Sequence, residues 1–352
     1  MNAPHDTAIE RAPQATQASA SANTSRRPRL GFLGVGWIGR HRMQAVAEDG
    51  CADIVVIADA ARTIAEEARA LAPRATIMGS LEDMLAQSLD GVVIATPSAL
   101  HAAQAQLALD RGMAVFCQKP LARTAQETAC VIAAARRADR LLGVDLSYRH
   151  TSAMRAVRDV IASGAIGDVY AIDLVFHNAY GPDKAWFRDP LLSGGGCVID
   201  LGIHLVDLAL WTLDFPAVVR VSSRLYAQGR LLPPNPEVVE DFAVAQIELA
   251  NDATARLACS WNLSAGCDAV IEASFHGTRG GVSLRNVQGS FYDFVAERYD
   301  GTRRTRLASP PDEWGGRAAV TWARQLRDHP GYDAGIEHLQ QVACVLDAIY
   351  GR

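Results

Sequence analysis

Short apolar runs alternate with longer amphipathic segments from residue 30 to about residue 146. The apolar runs predict β-strands at Leu30–Leu33, Ile54–Ala58, Val92–Ala95, Ala114–Cys117 and Leu141–Val144. The segments between them are rich in Ala, Leu, Glu and Arg and predict helices at Thr63–Leu71, Leu81–Gln87, Ala99–Arg111 and Thr124–Asp139. Strands that alternate with helices require right-handed crossovers between parallel strands. The pattern therefore predicts an α/β fold with a Rossmann-type, doubly wound parallel sheet.

After Tyr148 the pattern changes to longer strands that are rich in β-branched and aromatic residues. It predicts helices at Ser152–Ser163, Cys197–Leu213 and Ala334–Ile349, with strands at Val169–His177, Val218–Tyr226, Asp241–Leu249, Ala253–Trp261, Ala269–His276 and Gly281–Asn286. Gly and Asn-Asp turns between these strands indicate a mostly antiparallel sheet with helices on one face. Three regions follow: a disordered tail at 1–28, a Rossmann domain at 29–148 and a second α/β domain at 149–352. The final helix of the second domain is a candidate to pack back on the first.

Composition narrows the class of protein. The 352 residues are 49% hydrophobic and 21% charged, with a net charge of −5, as in an ordinary globular protein. There is no basic stripe with interleaved aromatic residues, so we expect no nucleic-acid partner. There is no uninterrupted apolar run of about 18 residues, so we expect no membrane span.

Cysteine usage and the N-terminal segment bear on the compartment. The seven cysteines include no CxxC pair, and their odd number argues against a disulfide framework. Residues 25–30 contain two consecutive arginines as an export signal does, but the apolar residues that follow are those that the first strand needs. We therefore expect a cytoplasmic protein.

The loop Gly34-Val35-Gly36-Trp37-Ile38-Gly39 carries the first functional signal. It follows a predicted strand and precedes a helical segment that begins near Arg40, and the next strand ends in Asp59, twenty residues after Gly39. In a dinucleotide-binding loop the first glycine allows a tight turn, the second lets the backbone approach the pyrophosphate, and the third lets helix and strand pack closely. The N-terminus of the helix attracts the phosphates. The alternative is a tight turn without a ligand.

Asp59 bears on which dinucleotide binds. A carboxylate there accepts hydrogen bonds from ribose hydroxyls and repels a 2′-phosphate, which favours NAD over NADP. Arg62 leaves NADP open, because a nearby arginine can pair with that phosphate; its alternative role is a solvated helix residue. Thr96 and Pro97 follow another strand at its carboxyl end, where ligands bind in such sheets.

Two further stretches carry reactive groups. Lys119 follows a parallel strand and is therefore expected to point into the cofactor cleft, although a surface cation is the simpler interpretation of a single lysine. Asp200, His204 and Asp207 have the spacing i, i+4 and i+7 on an otherwise apolar helix, which predicts one polar face. The alternatives are an intrahelical Asp200–His204 pair and a satisfied core histidine. A third convergent ligand for a metal is not evident, so we expect no metal site.

These motifs in this order closely resemble the glucose-fructose oxidoreductase/inositol dehydrogenase family. The resemblance rests on the glycine loop, Ala95-Thr96-Pro97 with His101, Gln118-Lys119-Pro120, Gly194–Asp207 and Val239-Glu240-Asp241, and it runs from about Arg29 to the C-terminus. It implies a Rossmann domain followed by a domain whose open sheet assembles the chain into homodimers or homotetramers. It also implies hydride transfer between NAD(P) and a secondary carbinol of a sugar, polyol or inositol-like substrate.

The resemblance also assigns roles to residues. Lys119 would hold the substrate hydroxyl, His204 would be the general acid/base, and Asp200 would hold substrate or orient His204; the Lys119–Pro120 bond would be cis. The implied cofactor-binding set is Gly34, Gly36, Trp37, Ile38, Gly39, Asp59, Arg62, Thr96, Pro97, His101, Gln118 and Lys119. Gln118 departs from the family, which commonly has Glu there. The amide still forms hydrogen bonds but removes a negative charge beside Lys119. The identity of the substrate therefore stays open.

Further substrate contacts are expected from the residues around the cleft. Beside Lys119, Asp200 and His204, the candidates are Arg149, Tyr180, Trp186 and Arg188. Trp186 would suit the apolar face of a sugar ring or would simply pack its loop onto the core. Two other functions stay open at this point: an enzyme that cycles its bound NAD during epimerisation, elimination or glycoside cleavage, and a dinucleotide-sensing regulator without catalysis.

Overall fold

A computed structural model describes residues 26–234 and 236–352, so most of the predicted tail at 1–28 lies outside the described residues. The first half contains strands β1 to β6, and all their pairings are parallel in the order β3-β2-β1-β4-β5-β6. The strands are β1 (Arg29–Leu33), β2 (Asp53–Ala58), β3 (Thr76–Met78), β4 (Gly91–Ile94), β5 (Ala114–Cys117) and β6 (Leu142–Val144). The order reverses between β1 and β4, which opens a crevice at the carboxyl ends of these strands.

Five helices connect these strands. They are α1 (Trp37–Asp49), α2 (Arg62–Ala68), α3 (Leu81–Leu85), α4 (Ser98–Asp110) and α5 (Ala125–Ala138). Ser80 and Thr124 cap α3 and α5 by accepting hydrogen bonds from backbone N–H groups in the first turn. Helix α1 begins at Trp37, inside the glycine loop and earlier than the sequence predicted.

The second half contains a nine-stranded sheet in the order β15-β14-β13-β12-β7-β11-β10-β8-β9. Only the β7–β11 pairing is parallel. The strands are β7 (Val169–Asn178), β8 (Val218–Ala227), β9 (Arg230–Leu231), β10 (Phe242–Leu249), β11 (Thr254–Ser260), β12 (Ala269–Gly277), β13 (Gly280–Asn286), β14 (Phe294–Asp300) and β15 (Arg303–Ala308). The predicted fold class is confirmed, and β3, β9, β14 and β15 are strands that the sequence pattern did not reveal.

Helices cover one face of the large sheet. They are α6 (Ser152–Ala162), α8 (Ile203–Thr212) and α10 (His338–Tyr350), and alternating residues of β7 such as Ile172, Leu174 and Phe176 are buried beneath them. A short helix α7 (Pro190–Ser193) and a π-helical turn (Val198–Gly202) precede α8. The other face of the sheet is not covered by any described helix.

Two helices of the second half contact the first domain: the final helix α10 packs against α5, as anticipated for it, and α9 (Arg317–Asp328) packs against α1 and the parallel sheet. Helix α9, which the sequence pattern missed, places Trp322 against the Rossmann sheet. A Cβ atom would lie 2.7 Å from the Trp322 ring at Gly143 and 2.8 Å from it at Gly91, so only glycine fits at these two positions. Helix α9 therefore completes the core on that face of the sheet.

One continuous stretch, Pro190–Thr212, is long and apolar enough to cross a bilayer by length and composition. Of its most apolar window, 83% is buried inside the protein, as in the core helix of a folded domain. It carries the Asp200–Asp207 segment.

Candidate active site

The glycine loop forms a tight turn at the end of β1. Gly34 has a φ of +81°, and its N–H donates to the Ala58 carbonyl oxygen at 2.8 Å. A Cβ on Gly39 would lie 2.0 Å from the Gly34 carbonyl oxygen, whereas a Cβ on Gly36 would meet nothing within 4 Å. Gly34 and Gly39 thus shape the turn, and the space over Gly36 stays open for a ligand.

The N-terminus of α1 is free to bind an anion. No side chain caps it, and its first turn carries no acidic residue. Trp37, the first helical residue, is 61% exposed, and its ring lies 4.6 Å from that of His41. The uncapped N–H groups and the helix dipole suit a pyrophosphate, so the local geometry fits the predicted dinucleotide.

Asp59 stands beside this loop at the end of β2. Its Oδ2 accepts from the Val35 N–H at 2.8 Å and its Oδ1 from the Ala61 N–H at 2.9 Å. These bonds hold the carboxylate next to the turn, where the ribose of a bound dinucleotide is expected. Arg62 is highly exposed and pairs with Glu66 at 3.0 Å, as a solvated helix residue does.

The turn after β4 is joined to the turn after β5 by His101. Its ring is 1% exposed, and its nitrogens lie 2.6 Å from the Pro120 carbonyl oxygen and 2.7 Å from that of Thr96. Burial lowers the pKa of His101, against the opposing pull of the two carbonyl groups. The structure thus places His101 beneath the cleft, in contact with both turns, and the Thr96 hydroxyl donates to Gln104 at 2.6 Å.

Lys119 and Asp200 meet across the domain boundary. The Lys119 Nζ atom donates to Asp200 Oδ1 at 2.6 Å and to the Asp200 carbonyl oxygen at 2.7 Å. The other carboxylate oxygen accepts from Trp261 Nε1 at 3.1 Å. The Lys119–Pro120 peptide bond is cis, as the resemblance implied. This arrangement fixes the lysine amine and leaves its third N–H available for a substrate oxygen.

A π-helical turn presents Asp200. The carboxylate of Glu240, itself 2% exposed, accepts from the N–H groups of Gly196 (3.0 Å) and Val198 (2.8 Å). The Tyr350 hydroxyl donates to Glu240 at 2.9 Å and accepts from the Ile199 N–H at 3.1 Å. Buried glutamate and tyrosine therefore satisfy the start of this turn, which replaces the uninterrupted helix that the sequence predicted.

His204 lies one turn after Asp200. It is 8% exposed, its ring centroid is 4.8 Å from that of Tyr148, and no residue in 26–234 or 236–352 hydrogen-bonds its nitrogens. Burial, together with the positive charges of Lys119 and Arg42, holds the pKa of His204 well below its usual range. The imidazole is therefore neutral at neutral pH.

The remaining predicted residues either form an ion pair or belong to the 179–193 loop. Asp207 does not bond to Lys119 and instead forms a bidentate ion pair with Arg149, so these two groups satisfy each other. Trp186 stacks on Phe187 at 3.9 Å, and Phe187 contacts Trp261 edge-on at 6.3 Å, which links the 179–193 loop to the site. In the same loop Tyr180 is exposed and donates to Asp268 at 2.6 Å, and Arg188 is exposed. Within the described ranges, no His, Cys, Asp and Glu side chains cluster as a metal site would require.

The sequence did not reveal four groups that complete the site. Trp261 contacts Asp200, and Tyr148 contacts His204. Arg42 and Asp145 lie behind Gln118. Trp261 and Asp145 directly follow strands at their carboxyl ends, and this position is the signal that could have identified them.

Family models match both halves of the chain. A model described as oxidoreductase family, NAD-binding Rossmann fold, matches residues 28–146. A second model, described as GFO/IDH/MocA C-terminal domain, matches residues 154–283. The two matched ranges contain the glycine loop and Lys119 in the first, and Asp200 and His204 in the second.

Individual proteins are similar to this chain over ranges of different length. The D-glucoside 3-dehydrogenase of Escherichia coli (strain K12) is 28% identical over 211 residues, which cover 57% of this chain but only 60% of that protein. The D-apiose dehydrogenase of Paraburkholderia graminis is 28% identical over 318 residues, covering 88% of this chain and 80% of that one. The structure of GenD2 from gentamicin A biosynthesis, solved in complex with NAD, has a TM-score of 0.76 and 25% identity over 92% of this chain and 93% of its own.

Proposed function

Because this chain belongs to the Gfo/Idh/MocA family of oxidoreductases, we propose that it is a dehydrogenase that transfers a hydride between NAD and a secondary carbinol of a sugar or polyol. The observation that carries the proposal is the Lys119–Asp200 pair, which joins the two domains beside a neutral, buried His204. The names of the two relatives support a sugar as substrate, since one is a glucoside dehydrogenase and the other an apiose dehydrogenase.

The first domain supplies the cofactor site. Gly34–Gly39 and the uncapped start of α1 would hold the pyrophosphate, and Asp59 would accept the ribose hydroxyls. Its negative charge supports NAD, while the exposed Arg62 is engaged by Glu66 and supplies no fixed partner for a 2′-phosphate. When bound, the nicotinamide accepts or supplies the hydride.

Lys119 acts on the substrate oxygen. Two of its N–H groups are occupied by Asp200, so the amine has one defined direction left in which to donate. An ammonium there stabilises the negative charge that develops on the oxygen as the carbinol loses its proton. Asp200, held by Trp261, fixes this geometry and balances the positive charge of Lys119.

His204 moves the proton. As a neutral imidazole it accepts the hydroxyl proton during oxidation, and in reduction it returns a proton to the carbonyl oxygen. A positioned acid/base of this kind contributes about 10²–10⁴-fold to a rate. The candidate substrate contacts Tyr180, Trp186 and Arg188 belong to the loop that packs on Trp261, and Arg149 remains a candidate whose charge is engaged by Asp207.

Lys119→Ala and His204→Ala test the assignment. Each variant should lose at least about 10²-fold in turnover, because each removes a group that acts only on the reacting oxygen. NADH affinity, measured by fluorescence, should fall far less than turnover, because most of the implied cofactor contacts lie in the glycine loop and at Asp59. Turnover is followed as NADH and NADPH absorbance over inositols, aldoses, ketoses, keto-sugars and glucosides.

The chain offers matched controls for both variants. It contains only two lysines, and Lys184 is exposed, as is His329. Lys184→Ala and His329→Ala should turn over like the wild type. Ordinary rates in Lys119→Ala and His204→Ala would refute the catalytic roles.

The same panel separates the two rival functions. Product without steady-state NADH release would indicate an enzyme that cycles its bound NAD. Tight NAD binding with no hydride transfer to any substrate would indicate a regulator.

A further inference from the structure

A buried ionic network lies directly behind the lysine loop. Asp145, which follows β6, is 1% exposed, and its Oδ2 accepts from Arg42 Nε at 2.5 Å. The same oxygen accepts from the side-chain amide of Gln118, the residue before Lys119. Arg42 and Gln118 are 5% and 7% exposed, so all three groups are withdrawn from water.

The three residues come from three different elements around the crevice. Arg42 lies on α1, the helix whose N-terminus faces the candidate pyrophosphate site. Gln118 follows β5 and Asp145 follows β6, and the Asp145 N–H donates to the Cys117 carbonyl oxygen at 2.9 Å. One carboxylate therefore ties the dinucleotide helix to the loop that carries Lys119.

The chemistry of the network restricts what can occupy position 118. An ionised carboxylate only accepts hydrogen bonds, so Asp145 orients Gln118 with its amide N–H₂ inward and its carbonyl oxygen away from Asp145. Asp145 Oδ1 has no hydrogen-bond partner in the described chain, and Arg42 is the one cation that touches Asp145 there. A glutamate at position 118 would place a second carboxylate against the same single cation, and like charges at that distance in a buried site repel strongly.

We propose that Asp145 is a positioning residue that couples α1 to Lys119, and that the network accommodates one carboxylate in total, at 145 in this chain with an amide at 118. The proposal rests on the proposed function for its effect on turnover, but its core is a statement about three contacting side chains. It also explains why position 118 is Gln where the family commonly has Glu. The negative charge at this end of the crevice is carried by Asp145, after β6, and not by the residue before Lys119.

The test is a charge exchange between the two positions. Gln118→Glu creates two carboxylates and Asp145→Asn creates none, so each single variant should lose about tenfold or more in kcat/KM and melt at a lower temperature. Gln118→Glu/Asp145→Asn restores one carboxylate and one amide with their places exchanged. Because directly contacting residues couple strongly, we expect the double variant to exceed the better single variant by about tenfold in kcat/KM and to regain most of the melting temperature.

Controls keep the outcomes separable. Gln87→Glu adds the same charge at an exposed position just after α3 and should change neither quantity. Melting temperature and NADH affinity are measured for the whole series, so the exchange can be read even if no sugar is turned over and the proposed function fails. A double variant that is no better than the sum of its singles, or a Gln118→Glu variant equal to the wild type, would overturn the proposal.

Discussion

His204 and Lys119 have different roles at the reacting oxygen because they differ in charge. Burial and two neighbouring cations keep the imidazole neutral, and Asp200 keeps the lysine amine in a fixed, ion-paired position. A neutral histidine is ready to accept a proton but must first gain one before it can donate. The two directions of the reaction should therefore respond differently to pH.

We expect the rate of reduction to rise as the pH falls, while the rate of oxidation stays flat near neutral pH. Since the pKa of His204 is lowered well below its usual range, only a small fraction is protonated at neutral pH, and that fraction grows about tenfold per pH unit as the pH falls toward the lowered pKa. Initial rates in both directions between about pH 8 and about pH 6 check this. An oxidation rate that already falls on passing through about pH 6.5 would contradict it, because His204 would then titrate as an ordinary histidine.

At the residue scale, sequence reasoning found the groups whose motifs lie within one short segment. The glycine loop, Lys119, Asp200 and His204 each sit in a local pattern that is typical of their position in the fold. Trp261 and Asp145 escaped because their partners are more than 25 residues distant and belong to other elements. Their chemistry depends on which strands become neighbours, and periodicity does not report strand order.

At the scale of elements, the start of the helix that carries Asp200 depends on the end of the chain. A Cβ on Gly195 would lie 2.1 Å from the Tyr350 hydroxyl, and one on Gly196 would lie 1.9 Å from the Glu240 carbonyl oxygen. The glycines therefore serve as space for a buried tyrosine and glutamate. Burial raises the pKa of Glu240, while the N–H groups of Val198 and Gly196 and the Tyr350 hydroxyl favour its ionised form.

Tyr350→Phe should lower stability and weaken the presentation of Asp200. It removes the donor to Glu240 and leaves the buried Ile199 N–H without its partner, at a cost of about 1–3 kcal/mol in the free energy of unfolding. Denaturant unfolding measures this, with the exposed Tyr170→Phe as a control that should unfold like the wild type. An unchanged unfolding midpoint would show that the hydroxyl contributes nothing to this turn.

The sequence pattern predicted most elements and failed at identifiable ones. It predicted one helix over residues 197–213 because this segment is apolar and buried on nearly all sides, so the register shift at the π-helical turn leaves no trace in the hydrophobic pattern. It missed β15 because Arg303, Arg304 and Arg306 are exposed and give no alternation. The β15 strand forms by pairing with β14, where Glu297 accepts from Arg306 at 3.0 Å.

At the scale of the whole molecule, the uncovered face of the large sheet is the surface that the family resemblance assigns to assembly. Its outward positions are mostly polar: Asp173 pairs with Arg256, and the buried Glu297 pairs with Arg285. Val244, 37% exposed on β10, lies toward the β8–β9 edge of this face, opposite Arg224 on β8. A partner sheet would have to match these charges.

We expect a homodimer or homotetramer that forms through this face. Val244→Arg places a second cation beside Arg224 in the same sheet and should reduce the molar mass in solution to that of a smaller species, because assembly through this face would then bury an unpaired positive charge. Size-exclusion chromatography with light scattering measures the mass. A wild-type monomer, or a variant with the mass of the wild type, would move the assembly surface elsewhere.

The return of α9 to the first sheet determines the order in which the molecule can become complete on the ribosome. Ala319, Trp322, Ala323 and Leu326 fill one side of a sheet whose last strand ends at Val144. During synthesis α1 and α2 cover only part of that side, and the rest stays open until more than 170 further residues have emerged. A newly made first domain thus exposes the aliphatic and aromatic surface that α9 later covers. A fragment that stops after β6 would keep that surface exposed to water and to other unfinished chains.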